Sequence, residues 1–118
     1  MTSSNFTIYT SLTFLIVSFL VCFGYQLYQH EKIHQIIYEH NGIESEIRYH
    51  PFKLYVATYA YVKEGECDEF CEQSHEFNEI VGYNVQILLA AMFFCIFFWW
   101  FVTETRRLDD QYDRFKYS

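Results

Sequence analysis

Apolar and polar residues are segregated along this chain into two long apolar blocks that frame one polar segment. From Ile8 to Tyr28 the chain runs IYTSLTFLIVSFLVCFGYQLY, and no charge appears before Glu31. The second block, YNVQILLAAMFFCIFFWWFVT from Tyr83 to Thr103, is more apolar still. About 20 consecutive apolar residues suffice for a helix to cross the hydrocarbon of a bilayer. The pattern therefore predicts an all-α membrane protein, a two-span transmembrane helical hairpin.

Between the blocks the pattern predicts helices that continue outside the bilayer. QHEKIHQIIYEH carries Ile33, Ile36 and Ile37 with no breaker before Asn41-Gly42, so the first helix runs on to that turn. Pro51 marks extended chain, and LYVATYAYV, rich in Val, Tyr and Thr, reads as a short strand or extended segment. From Glu66 onward Phe70, Phe77, Val81 and Leu88 recur at helical intervals, so the second helix begins well before its apolar block. The two helices would then form an antiparallel pair, with residues 42–65 as its tip.

The expected organisation is a single hairpin of residues 1–118. It comprises an N-terminal tail (1–7), a first span (8–28), an acidic loop (29–82), a second span (83–103) and a C-terminal tail (104–118). In the tail, Leu108, Tyr112 and Phe115 share one helical face, a stripe suited to docking. Small residues at helical spacing, Ser18 with Cys22 and Ala91 with Cys95, are the expected packing seam between the spans.

Charge gives this hairpin an orientation. Four basic residues near the C-terminal end, Arg106, Arg107, Arg114 and Lys116, face only Lys32 close to the membrane on the loop side. By the positive-inside tendency both termini lie in the cytosol or matrix and the loop lies outside. The net charge of −7 resides in that loop, a surface unsuited to nucleic acid. No ionisable residue lies near the centre of either block, which argues against a pump or transporter acting alone. A cleavable signal peptide is disfavoured by the lack of a basic n-region before the first block.

Composition adds a setting. Thirteen Phe and eleven Tyr against four Gly and one Pro suggest an AT-rich coding genome, which favours a mitochondrial context. With 118 residues and two spans, little chain remains for a soluble catalytic core.

Two motifs carry possible chemistry. His30-Glu31-Lys32-Ile33-His34 fits H-E-x-x-H, in which imidazoles at i and i+4 hold zinc and the glutamate activates water. His40 falls where some zinc proteases place a third ligand. However, Ile37 stands where those proteases need a glycine to turn toward it. The alternatives are a solvated helix face or a structural metal held by His30 and His34 with a partner.

The second motif is Gly65-Glu66-Cys67-Asp68-Glu69-Phe70-Cys71-Glu72-Gln73-Ser74-His75-Glu76-Phe77-Asn78-Glu79-Ile80-Val81. Residues 65–81 resemble the copper A segment of cytochrome c oxidase subunit II. The resemblance implies copper bridged by Cys67 and Cys71, with Glu69 ligating through its carbonyl and His75 binding one copper. His34 would be the second histidine. Asn78 replaces the family's methionine ligand and Glu79 the following proline, and the loop is too short for the family's β-barrel.

Without copper, Cys67 and Cys71 form a local disulfide in an oxidising compartment or remain free thiols. On a regular helix a four-residue spacing is poor for a bridge unless the helix is locally broken. Asn5-Phe6-Thr7 is a glycosylation sequon, whose use would contradict an inward-facing N-terminus.

The expected function is that of a non-catalytic supernumerary or structural subunit of a large membrane complex, with no catalytic residue and no cofactor. Its partners would be lipid and other membrane subunits. The first setting is a respiratory-chain complex of the mitochondrial inner membrane, both termini in the matrix. The alternatives are a small auxiliary subunit of a channel or receptor at the plasma membrane, with cytosolic termini, and a degenerate or split copper A electron-transfer subunit.

Overall fold

In a computed structural model of the chain, residues 3–50, 52, 53, 55–63 and 65–118 are described. The element order is α1 (Ser3–His40), β1 (Ser45–His50), β2 (Tyr55–Ala60) and α2 (Glu69–Tyr117). The protein is mostly helical, and both helices are long and apolar enough to cross a membrane. Pro51, read from the sequence as a mark of extended chain, lies outside the described residues.

The helices are longer than their apolar blocks. At about 1.5 Å per residue, the 38 residues of α1 and the 49 of α2 extend well past the roughly 30 Å of a bilayer core. Each therefore carries polar turns beyond its apolar stretch. The chain divides into two compact units, residues 22–87 and residues 1–21 with 88–118.

In the second of these units the helices meet through rings. Phe19 and Phe93 pack edge to face with centroids 5.1 Å apart. Trp100 Nε1 donates to Ser11 Oγ at 2.9 Å, pairing two polar groups among apolar side chains. Other hydroxyls satisfy themselves locally, as Thr10 Oγ1 does by donating to Phe6 O. The sequence places the seam at Ser18, Cys22, Ala91 and Cys95. Cys22, Ala91 and Cys95 are exposed and Ser18 is half-buried.

In residues 22–87, α1 ends where the sequence placed its stop. Gly42 adopts φ 73°, and the Ile43 amide reaches back to Tyr38 O at 2.9 Å while Gly42 N donates to Glu39 O at 3.0 Å. Glycine takes this left-handed cap without a Cβ penalty. Ile43 folds under the cap and is only 4% exposed.

The expectation of an all-helical chain with one extended segment needs correction. β1 and β2 pair antiparallel in a two-stranded sheet, with Ser45 opposite Ala60 and His50 opposite Tyr55. β2 falls within the predicted extended segment. The β1 sequence SEIRYH has only Ile47 and Tyr49 as its apolar pair, too faint an alternation to stand out.

α2 begins under an aspartate cap, with Cys71 N donating to Asp68 Oδ1 at 2.9 Å. Cys67 therefore lies before the helix and Cys71 in its first turn, and the two are disulfide-bonded. This break in the helix is what permits a bridge at four-residue spacing. Cys71 is fully buried. Cys22 and Cys95 are free. In SDS without reductant, two of the four cysteines should react with maleimide, and all four after reduction. Four reactive thiols at the outset would refute the bridge.

Candidate functional site

The H-E-x-x-H segment is helical throughout, so His30 and His34 share one face of α1 one turn apart. Across from them α2 presents His75 and Glu79, again at i and i+4. The four side chains converge. Glu79 Oε1 lies 2.7 Å from His34 Nε2 and 3.3 Å from His30 Nε2. His34 Nδ1 lies 2.6 Å from His75 Nδ1, with the two rings stacked at 4.9 Å. Tyr38 also packs on His75, with ring centroids 4.3 Å apart.

The helices come this close because Gly82 has no side chain. A Cβ there would lie 2.3 Å from His30 Nδ1. Asn78, buried beside it, donates its amide to His30 O at 3.1 Å. The imidazoles of His30 and His34 are consequently only 10% and 12% exposed, whereas Glu79 keeps 43%.

Electrostatics follow from this placement. Burial pushes the His75 imidazole below its ordinary pKa, the neighbouring His34 pushes it the same way, and the Glu79 carboxylate opposes both. A neutral His34 that donates Nε2–H to Glu79 accepts at Nδ1, so His75 donates its Nδ1–H to it. His75 Nε2 and His30 Nδ1 are then buried with no hydrogen-bond partner among the described residues.

Glu31 turns the other way. Its Oε2 accepts from Thr58 N at 2.8 Å and from Thr58 Oγ1 at 2.7 Å, and the same hydroxyl lies 2.9 Å from Glu31 O. The residue in the water-activating position of the motif thus ties α1 to β2. His40 is exposed at the end of α1, outside the cluster.

The copper A-like residues are arranged differently from what that resemblance implies. Cys67 and Cys71 are bonded to each other, so neither offers a thiolate to bridge two metal ions. Glu69 is exposed and accepts from Gln73 at 3.2 Å. Asn78, at the methionine position, is engaged by His30 O. Among the described residues the surroundings are the two helices and a two-stranded sheet.

Sequence reasoning did pair His34 with His75, as copper ligands, and the structure brings them together. It gave Glu79 no role. The available signal was the matching i, i+4 spacing of His30–His34 and His75–Glu79, which puts each pair on one helical face. No protein-family model, curated protein or solved structure matches this chain.

Proposed function

We propose that the chain is a two-span membrane hairpin, both termini on the cytosolic or matrix side, that serves as a non-catalytic packing subunit of a larger membrane complex. The observation that carries this reading is the exposure of its apolar helices. The most apolar windows of both are 0% buried, and Phe14, Phe94 and Trp99 are about 70% exposed. Such surfaces need lipid or neighbouring chains to cover them. The outward rings of Tyr112 and Phe115 in the C-terminal tail, 65% and 84% exposed, support a protein neighbour at the membrane edge.

The mitochondrial inner membrane, within a respiratory-chain complex, is the setting favoured by the residue skew. The Cys67–Cys71 disulfide favours an oxidising space around the loop, which the cell exterior also provides. An auxiliary subunit of a surface channel or receptor is accordingly the second reading.

Native mass measurement of the protein in mild detergent, with identification of co-purifying chains, separates these. A respiratory assembly supports the first reading and a channel or receptor the second. Isolation as a lone monomer overturns both.

A further inference from the structure

We propose that His30, His34 and Glu79 form a binding site for one divalent ion of the zinc class, which staples α1 to α2. One ligand atom each from His30, His34 and Glu79 lies within 4.8 Å of the other two. A tetrahedral zinc with bonds of about 2.0–2.1 Å holds its ligand atoms roughly 3.3 Å apart. The His30–Glu79 separation is already 3.3 Å, and the His34–Glu79 separation of 2.7 Å needs to open by a few tenths of an ångström. Two imidazoles and a carboxylate are a donor set that zinc favours.

One of the surrounding hydrogen bonds suits a metal-bound His34. When His34 binds an ion through Nε2, its proton must sit on Nδ1, where His75 Nδ1 is in place to accept it at 2.6 Å. When His30 binds through Nε2, its proton likewise moves to Nδ1. That atom faces Gly82 and has no hydrogen-bond partner among the described residues.

Glu31 distinguishes this site from a hydrolytic one. Its Oε2 is committed to Thr58, so the group that would activate a metal-bound water is held by the sheet. A staple between helices is the role left to the ion, with water or a neighbouring chain as fourth ligand.

Cobalt(II) and zinc titrations of the full chain in detergent micelles test this. The wild-type protein should bind one cobalt ion per chain, with the strong visible bands of four-coordinate cobalt, and zinc should displace it. Glu79→Gln, which preserves size, should weaken binding at least tenfold with unchanged helical content, and His34→Ala should do the same. His40→Ala and the double variant Cys67→Ser/Cys71→Ser should bind as wild type. The proposal is overturned if the wild type binds no ion, if Glu79→Gln leaves affinity intact, or if His40→Ala weakens binding as much as Glu79→Gln. If His34→Ala does not fold, the isosteric Glu79→Gln still decides the matter.

Discussion

Substituting leucine for Gly82 is expected to destabilise the unit of residues 22–87 by about 3 kcal/mol, the upper part of the range for overpacking a close contact. The reason is local and steric. Even a methyl group at this position would sit 2.3 Å from His30 Nδ1 and 2.6 Å from His30 Cε1. The obstacle is a ring on α1 that is largely buried and held at Nε2 by Glu79, while Asn78 holds the His30 backbone carbonyl, so it cannot swing aside as the end of a lysine would.

Gly82→Ala tests the same contact more finely. Alanine gains about 1 kcal/mol of helix propensity over glycine, which offsets part of the clash and leaves a net loss of roughly 1–2 kcal/mol. Gly24 supplies the control, because a Cβ there meets nothing within 4 Å and Gly24→Ala should be neutral or slightly stabilising. Denaturant unfolding followed by far-ultraviolet circular dichroism in micelles ranks the three variants. If Gly82→Ala proves as benign as Gly24→Ala, the close approach of α1 and α2 at this level is wrong.

Much of the secondary structure was legible because each helix is governed by local signals. The uncharged blocks, the Asn41-Gly42 stop and the recurring Phe70, Phe77 and Val81 all act within one element. β1 was illegible for the opposite reason. Its identity depends on pairing with β2, and Ile47 and Tyr49 alone give too little alternation to reveal it.

The site was half legible for a related reason. His30, His34, Cys67, Cys71 and His75 stand out by residue type and spacing. Glu79 is one of eleven carboxylates in the loop and acquires significance only when α2 places it against His30 and His34. Gly82 is similar. A helical glycine lowers propensity without saying why, and only the approach of His30 explains its presence. Glu31 shows the limit of motif reading, since H-E-x-x-H names the residue but not the side of the helix from which its partner arrives.

That partner makes Glu31 the second position of large expected effect. A two-stranded sheet is marginal in water by itself, so the hairpin of β1 and β2 depends on what it rests against. Thr58 gives both its amide and its hydroxyl to the Glu31 carboxylate. Hydrogen bonds to a charged acceptor contribute about 1.5–3 kcal/mol, and removing the acceptor leaves a half-buried amide unpaired. Glu31→Ala should therefore cost roughly 2–3 kcal/mol locally, and speed hydrogen exchange at the Thr58 amide by about 30- to 160-fold. Glu31→Gln, which keeps a neutral acceptor, should fall between the two. Exchange at amides of the apolar stretch of α2 should be unchanged, because the loss is confined to the seating of the sheet. Unaltered protection of Thr58 in Glu31→Ala would mean that the sheet is held by other contacts, and would free Glu31 for the water-activating role that its motif suggests.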